Sequence, residues 1–270
     1  MYSLILTDID GTVLKDDLTV SEKTILAFRL AREKGIRIVL SSGRYLQGLG
    51  FLKDEIGIDD IILSGINGAL IKDGDKYLNT VTIEKDAYED AVKFLKGKPK
   101  SLIAFTESEY AIDCTDTFYE LQTKICRQAG TRMDLSSHEE VEKALDQKIY
   151  KLLVKDDSPE RCMALRDEAK KFLGDRVQIV ASFPNNFEIL PPKTDKKTAV
   201  EVLEKMLSIP RERMIAFGDW DNDAGMLSSV GMGIAMANGS DRAKAAAKFV
   251  TKDNNSDGIY YTLHDYLKII

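Results

Sequence analysis

Two short apolar segments near the N-terminus, separated by a helical pattern, constrain the fold of this chain most strongly. Leu4–Thr7 predicts a buried strand, and residues 36–40 are apolar apart from Arg37. Between them, Ser21 is suited to cap a helix that ends at Gly35. Apolar strands of this kind suit a parallel sheet that is covered on both faces. The order strand, helix, strand therefore predicts the start of a doubly wound α/β fold.

This α/β rhythm stops in the middle of the chain and resumes near its end. Residues 61–83 contain Asn67-Gly68 and Asp73-Gly74, which predict tight hairpin turns. Residues 84–188 mix helical and strand patterns, and alternation of strands and helices returns after Pro192. We therefore predict an α/β class protein. Its doubly wound, Rossmann-like parallel-sheet core is formed by residues 1–83 and 189–270, and an α+β cap domain is inserted at residues 84–188.

Composition limits the partners of this 270-residue chain. Its formal net charge is −6 and it has no long run of lysine or arginine, so nucleic acid and anionic membranes are poor partners. The apolar N-terminus reaches Asp8 without a basic flank, which favours a strand over a signal peptide. No apolar run approaches the ~20 residues of a membrane span. We expect a cytoplasmic monomer or small homo-oligomer with no nucleic-acid or membrane partner.

Cysteines and histidines are few in this chain, so we expect its catalytic groups to be carboxylates. The three cysteines are well separated and form no CxxC pair, which argues against a zinc or redox site and favours a reducing compartment. Neither His138 nor His264 has a metal-ligand partner at helical or hairpin spacing. Acid–base work is therefore expected from aspartate and glutamate.

Four polar clusters fall where the carboxyl ends of core strands are predicted, which is where ligands of open α/β sheets bind. The first and last clusters are rich in aspartate, and the other two contribute a hydroxyl and an ammonium group. The clusters are Asp8-Ile9-Asp10-Gly11-Thr12, Ser41-Ser42-Gly43-Arg44, Lys196 at the start of a helix, and Gly218-Asp219-Trp220-Asp221-Asn222-Asp223.

Carboxylates gathered at one sheet edge repel one another and need a cation, and hard oxygen ligands favour magnesium. A magnesium site formed by Asp8, Asp10 and Asp219 is one interpretation, and ordinary polar loops that bound strands are the other. A calcium loop that begins at Asp219 would need glycine and glutamate at positions held by Ala224 and Val230. The two matching acidic clusters, with Ser42 and Lys196 nearby, favour the magnesium site.

Lys196 and Lys197 lie in the first turn of a predicted helix, where the helix dipole disfavours cations by about 0.3–1 kcal/mol. Residues that break a local rule tend to mark function. An anion between this helix end and Ser42 would resolve the conflict. The alternative is that both lysines are solvated surface residues.

Together the four clusters resemble the haloacid dehalogenase-like phosphatases, in particular the Cof-type branch with a large α/β cap inserted before the lysine motif. The resemblance covers nearly the whole chain. It rests on Asp-Ile-Asp-Gly-Thr, Ser-Ser-Gly-Arg, Lys196 and Gly-Asp-Trp-Asp-Asn-Asp, with Ala235-Met236-Ala237-Asn238 and Asp257-Gly258 near the C-terminus.

The chain departs from the family pattern at three positions. Ser42 stands where the branch usually has threonine, and the hydroxyl is kept. Lys196-Lys197 replaces the usual Lys-Gly, and we assign Lys196 to the site because the small apolar run after it aligns with the family. Trp220 occupies a position that is usually small.

The resemblance implies a role for each cluster. Asp8 would be the nucleophile that forms an aspartyl phosphate, and Asp10 would act as general acid and then general base. Ser42 and Lys196 would hold the phosphoryl oxygens. The implied Mg²⁺ ligands are Asp8, Asp10 (through its backbone carbonyl) and Asp219, supported by Asn222 and Asp223. Gly11 and Gly43 would let backbone N–H groups approach the phosphate.

Two further residues have two interpretations each. Arg44 is either a substrate contact or a residue that caps or pairs on the helix it opens. Asn67 is either a substrate contact, since the family carries Asn-Gly near the mouth of the site, or part of a two-residue hairpin turn.

The resemblance implies a magnesium-dependent phosphatase that hydrolyses small phosphate monoesters, with sugar or other metabolite phosphates as substrates. The cap would exclude water from the site and select the leaving group. A phosphomutase on the same scaffold would share every motif. A non-catalytic phosphometabolite sensor is the alternative outside enzymes, and Asp10 favours the enzyme because receiver domains lack an acidic residue two positions after the acceptor.

Overall fold

The computed structural model describes residues 1–113, 117–132 and 148–270, so Cys114 and His138 lie outside the described residues. The chain divides into two compact units. The first consists of Met1–Gly43, Leu49–Thr80 and Asp195–Ile270, and the second of Arg44–Gly48 and Val81–Thr194. The range expected for the inserted domain, 84–188, falls within the second unit.

The described residues form alternating strands and helices at both ends of the chain, as the sequence pattern predicts, and a mixture of the two between them. The strands are β1 Leu4–Thr7, β2 Arg37–Ser41, β3 Ile62–Gly65, β4 Leu70–Asp73, β5 Lys76–Thr80, β6 Ser101–Phe105, β7 Tyr110–Asp113, β8 Thr131–Arg132, β9 Lys151–Lys155, β10 Gln178–Phe183, β11 Asn186–Leu190, β12 Met214–Gly218, β13 Met232–Ala235 and β14 Phe249–Val250. The helices are α1 Glu22–Glu33, α2 Gln47–Ile56, α3 Lys85–Leu95, α4 Thr117–Cys126, α5 Pro159–Leu173, α6 Lys196–Leu207, α7 Ala224–Ser229, α8 Asp241–Ala246 and α9 Gly258–Tyr260.

The first unit is built on an eight-stranded sheet in the order β14-β13-β12-β1-β2-β3-β4-β5. The strands from β14 to β3 pair in parallel, and β4 and β5 extend the sheet as an antiparallel hairpin. Strands from both ends of the chain therefore lie side by side in one sheet, since β1 pairs with β12. The predicted α/β class with a parallel-sheet core is confirmed.

Helix starts in this unit follow the sequence signals. Ser21 accepts a hydrogen bond from the Thr24 amide and caps α1, as predicted. Asp195 caps α6 in the same way, and its side chain accepts from the Thr198 amide at 2.7 Å. These caps fix the residue at which each helix begins, and for α6 that residue is Lys196.

The turn after β3 is longer than the predicted two-residue turn. Gly65 pairs with Leu70, so four residues lie between the strands. Ile66 and Asn67 both have left-handed backbone conformations, with φ of 51° and 52°. Gly68 has φ of 95°, and a Cβ added there would lie 3.1 Å from the Asp195 carbonyl oxygen. Close packing against the start of α6 therefore sets this turn.

The second unit has a six-stranded sheet in the order β10-β11-β9-β6-β7-β8. Its pairs are antiparallel apart from β7 with β8. Side chains of α3 and α5 pack on one face of this sheet, around buried Tyr88 and Phe187. Strand β11 was not predicted, although it lies between β10 and β9. Within the described residues, no helix combines the length and apolar character needed to cross a membrane.

Candidate active site

The candidate site begins where β1 and β12 end beside each other. Thr7 pairs with Phe217 in this parallel ladder, and the Asp8 amide donates to the Phe217 carbonyl oxygen at 2.9 Å. Asp8 therefore follows β1 at the same edge at which Asp219 follows β12. Sheet pairing brings together two aspartates that are more than 200 residues apart in sequence.

Three carboxylates form a buried cluster at this edge. Asp8, Asp219 and Asp223 each offer an oxygen, and these oxygens lie within 4.8 Å of one another. The three residues are only 5%, 8% and 0% exposed. Buried carboxylates this close repel each other, so the cluster requires compensating positive charge.

Lys196 supplies one such charge. It is 1% exposed, and its Nζ donates to Asp8 Oδ1 and, at 2.5 Å, to Asp223 Oδ1. Because Asp195 fixes the start of α6, the first helical residue points its ammonium into the cluster. Lys197 is exposed.

Burial and neighbouring charges set the protonation of these groups. Burial raises the pKa of Asp8 well above its usual range, and Lys196 lowers that pKa in part. Burial and the Asp223 charge raise the pKa of Asp219 to about 6. Burial lowers the pKa of Lys196, but Asp223 and Asp8 outweigh it, so that pKa lies above its ordinary value. Lys196 is therefore charged at neutral pH.

Asp223 organises the loop that follows β12. Its Oδ2 accepts hydrogen bonds from the amides of Asp219 and Trp220, each at 3.0 Å, while its Oδ1 accepts from Lys196. A Cβ on Gly218 would lie 2.6 Å from Asp223 Cβ, so glycine is needed there. Both oxygens of Asp223 are already engaged. Asp8 and Asp219 consequently have more capacity to bind a further cation.

The loop after β1 is tied to Asp219. The Thr12 hydroxyl donates to Asp219 Oδ1 at 3.1 Å. Gly11 has φ of 80°, and a Cβ there would collide with the Asp219 carboxylate. Asp10 is exposed, so its carboxylate lies outside the buried cluster. The expected metal contact of Asp10 through its backbone carbonyl stays a prediction.

The predicted hydroxyl lies at the end of the strand next to β1. Leu40 of β2 pairs with Thr7, so Ser42 follows β2 at the same edge. Ser42 is buried, its amide donates to the Ser64 carbonyl oxygen, and its own carbonyl oxygen accepts from the Asn67 amide at 2.9 Å. A Cβ on Gly43 would lie 3.5 Å from Asn67 Oδ1, so these two residues are neighbours.

Two other predicted site residues lie elsewhere. Arg44 belongs to the second unit and donates to the Ile125 carbonyl oxygen at 3.0 Å, at the end of α4. Asn222 is exposed on the loop after β12. Their roles towards substrate and metal stay predictions.

Three polar residues join the site that were not assigned to it from sequence. Thr12 contacts Asp219, Asn238 Nδ2 donates to the Gly11 carbonyl oxygen at 2.9 Å, and the Ser240 amide donates to the Asp219 carbonyl oxygen at 2.8 Å. Thr12 and Asn238 stand in segments quoted for the family resemblance, so that alignment was the available signal.

The donor set fits a divalent cation. With all three carboxylates ionised, these four side chains carry two surplus negative charges, and the raised pKa values of Asp8 and Asp219 reflect the cost of that state without a cation. The available donors are carboxylate oxygens, which favour magnesium over softer metals. The cluster could therefore hold a metal ion.

A model of one protein family matches almost the entire chain. The family is described as haloacid dehalogenase-like hydrolase, and the match covers residues 5–263. The matched range includes every residue of the carboxylate cluster and Lys196.

Individual relatives and solved structures agree with this match. A putative phosphatase of Bacillus subtilis, YxeH, is 29% identical over 98% of each chain. A second B. subtilis protein, the 5-amino-6-(5-phospho-D-ribitylamino)uracil phosphatase YitU, is 26% identical over 98% of each chain. The crystal structure of a haloacid dehalogenase-like hydrolase from Bacteroides thetaiotaomicron has a TM-score of 0.89 at 23% identity, covering 98% of this chain and 99% of that one.

Proposed function

Because the chain belongs to the haloacid dehalogenase-like hydrolases, we propose that it is a magnesium-dependent phosphatase acting on small phosphate monoesters. The observation that carries this proposal is the buried cluster of Asp8, Asp219 and Asp223 around Lys196. A cluster with two surplus negative charges repels a phosphate dianion unless a cation accompanies it.

Asp8 and Asp219 would hold the magnesium ion directly, with the backbone carbonyl of Asp10 as a third ligand. Asp223 would position Asp219, because it accepts from the Asp219 amide at 3.0 Å. Asn222 would contribute through water. Bound magnesium would offset the negative charge of the carboxylates and of the phosphoryl group.

Asp8 is the proposed nucleophile. One of its oxygens accepts from Lys196, which lowers the pKa of Asp8 in part, and the other would attack the phosphorus atom. Lys196 has three N–H donors and uses two of them on Asp8 and Asp223. The third can donate to a phosphoryl oxygen, as can the Ser42 hydroxyl. Gly11 and Gly43 would let backbone N–H groups approach the phosphate.

Asp10 is the proposed general acid and base. Its carboxylate is exposed, whereas that of Asp8 is buried, so the two have different environments although they are two residues apart. Asp10 would protonate the leaving oxygen while Asp8 attacks phosphorus. It would then remove a proton from the water that cleaves the aspartyl phosphate.

The proposed substrates are sugar phosphates and related metabolite phosphates. The name of the relative YitU gives it a phosphorylated ribityl compound as substrate, which is a polyol phosphate. The second unit would select the leaving group, and Arg44 and Asn67 would contact it.

Trapping of the covalent intermediate tests this proposal. With labelled substrate, rapid quenching followed by borohydride reduction and mass spectrometry should locate the modification at Asp8. Asp8→Asn should have no measurable turnover, while Asp17→Asn, which changes an exposed aspartate of the same segment, should keep it. Free phosphate should accumulate, which a phosphomutase would not produce. Net inversion at phosphorus with a chiral, isotopically labelled substrate would exclude the covalent step, because two successive in-line displacements retain the configuration.

A further inference from the structure

A short turn after β13 contacts both loops that carry the proposed catalytic aspartates. We name residues 238–240 the bridging turn. On one side Asn238 Nδ2 donates to the Gly11 carbonyl oxygen at 2.9 Å. On the other side the Ser240 amide donates to the Asp219 carbonyl oxygen at 2.8 Å. The bridging turn therefore fixes the loop after β1 relative to the loop after β12.

Packing leaves little freedom within the bridging turn. A Cβ on Gly239 would lie 2.7 Å from the Asp219 carbonyl oxygen, so the backbone of the turn lies directly against that loop. The Gly239 amide donates to the Met236 carbonyl oxygen at 2.9 Å, and the Ser240 hydroxyl donates to Asp221 Oδ1 at 2.7 Å. Asn238 is thus presented to Gly11 from a rigid support.

A buried asparagine orients Asn238. The Asn254 amide donates to Asn238 Oδ1 at 3.2 Å, which leaves the Asn238 Nδ2 group facing Gly11. Asn254 is itself buried, and its Nδ2 donates to the Leu14 carbonyl oxygen at 3.0 Å and to Asp16 Oδ1 at 3.1 Å. The network starts and ends on the loop after β1, at Gly11 and at Leu14.

This loop needs such support. Gly11 has φ of 80° and follows Asp10, whose side chain is exposed. Glycine permits many backbone conformations, so the conformation of the peptide next to Asp10 depends on contacts such as the hydrogen bond from Asn238. A displacement of about 1 Å at a reacting group can reduce a rate by about 10².

We propose that Asn238 is a positioning residue that holds the backbone of Asp10 and Gly11, so that the Asp10 carboxylate stays within reach of the leaving oxygen. This inference rests on the proposed phosphatase function. It adds a residue that acts through the backbone and touches neither substrate nor metal.

The leaving group provides a test that a purely structural role would not affect. p-Nitrophenolate leaves without protonation, whereas the alkoxide of a sugar phosphate requires a general acid. Asn238→Ala should therefore reduce kcat/KM for glucose 6-phosphate, or for the best sugar phosphate found, by about tenfold or more. It should reduce kcat/KM for p-nitrophenyl phosphate by less than about threefold. The quantity to compare between variants is the ratio of kcat/KM for the sugar phosphate to kcat/KM for p-nitrophenyl phosphate.

Two further variants sharpen the comparison. Asn238→Asp keeps the size of the side chain and its acceptor for Asn254, but replaces the donor to Gly11 by an oxygen, so it should lower the ratio at least as much as alanine. Asn255→Ala is the matched control, because Asn255 is also exposed and its two hydrogen bonds to the same loop, at 3.0 and 3.2 Å, are both with Asp16, six residues after Asp10. It should leave the ratio unchanged. Equal losses on both substrates in the Asn238 variants would overturn the proposal.

Hydrogen exchange tests the same inference without any activity. The amides of Val13 and Leu14 donate to the Ile9 carbonyl oxygen at 3.0 and 2.9 Å and report on the order of this loop. Their exchange should accelerate in Asn238→Ala and stay unchanged in Asn255→Ala. Unchanged exchange in Asn238→Ala would overturn the positioning role even in an active enzyme. An inactive wild-type protein with accelerated exchange in the variant would reject the proposed function and keep the structural link.

Discussion

Each of the two units contains a buried lysine, and their surroundings differ in charge. In the first unit, Lys196 is 1% exposed and donates to Asp8 and Asp223, next to Asp219. In the second unit, Lys151 is 5% exposed, and its Nζ lies 3.1 Å from Glu188 Oε1. The Lys151 ammonium also lies 4.8 Å from the centre of the Phe105 ring.

The difference between these lysines distinguishes a paired charge from a charged binding site. Lys151 and Glu188 carry one charge of each sign, so that pair sums to zero. The Lys196 cluster contains three carboxylates, so its net charge is −2 when all three are ionised. Desolvating unbalanced charge is costly, and clusters that retain it are candidates for a ligand of opposite charge. The surplus of negative charge around Lys196, more than its burial, indicates that this lysine is part of a binding site.

Metal removal should have the largest effect, because it restores the uncompensated charge of the Lys196 cluster. Turnover should fall to background in excess chelator and return with added Mg²⁺. Mg²⁺ should raise the thermal unfolding temperature of the wild type and have little effect on Asp219→Asn, which has one ligand fewer. Full turnover in protein shown by elemental analysis to be free of metal would contradict the metal site.

Replacing the lysine of the cluster should have the next largest effect. Lys196→Met should reduce kcat/KM by about 10²–10³, the range for loss of one donor to developing charge. Lys197→Met is the matched control one residue away, and its exposed side chain should be dispensable within about twofold. Steady-state kinetics of the two folded variants shows which lysine substitution causes the larger loss of kcat/KM. A greater loss in Lys197→Met would show that the assignment across Lys-Lys is wrong by one position.

The position of Lys196 illustrates what the sequence could provide. A lysine in the first helical turn conflicts with the helix dipole, and this conflict predicted an anion between the start of the helix and Ser42, which stays a prediction. The structure places the carboxylates of Asp8 and Asp223 at its ammonium. Strand ends, the cap at Ser21 and the start of α6 were likewise predictable, since they depend on local patterns.

Contacts across the chain were less accessible to sequence reasoning. Asp223 was expected only to support the metal, yet its two oxygens order the loop and hold Lys196. Asn238 reaches Gly11 from 227 residues away. Such pairs depend on which strands lie together and on the exact turn geometry, and neither is set by a local pattern. The four-residue turn at Ile66–Gly68 and Ala69 was missed for the same reason, because packing against α6 determines it.

Breaking the balanced pair in the second unit should affect stability more than chemistry. Lys151→Met leaves the Glu188 carboxylate largely buried beside an apolar group and should cost about 3 kcal/mol of unfolding free energy. Lys151→Met with Glu188→Leu should recover most of that loss, because no unpaired charge remains. Denaturant unfolding measures both. Equal stability of the single variant and the wild type would show that this pair contributes nothing.

The smallest expected effect is a pH dependence that differs with magnesium concentration. Burial and Asp223 raise the pKa of Asp219 to about 6, so this carboxyl takes up a proton as the pH falls below about 6. Asp8 has a raised pKa as well, and the two titrate together. A protonated carboxyl is a poor metal ligand, so kcat/KM at subsaturating Mg²⁺ should decrease on the acid side of this range. Because proton and cation compete, tenfold more Mg²⁺ should move the acid limb to lower pH by up to about one unit.

Thr12→Val provides the matched change for this experiment. The Thr12 hydroxyl donates to Asp219 Oδ1 at 3.1 Å and lowers the pKa of that carboxyl, and valine has nearly the same shape without the donor. The acid limb of the variant should therefore lie at higher pH than that of the wild type at equal Mg²⁺.

In metal-free protein the raised pKa of Asp219 affects folding stability, and here a lower pH is favourable. The folded state holds the proton more tightly than the unfolded chain, so this contribution to stability is present at low pH and is lost as the pH rises through about 6. Thermal unfolding in chelator between about pH 4 and pH 6 measures this loss, which should be smaller in Asp219→Asn because only Asp8 then contributes. In the activity experiment, an acid limb that is unchanged by both Mg²⁺ concentration and Thr12→Val would mean that protons and Mg²⁺ do not compete for Asp219.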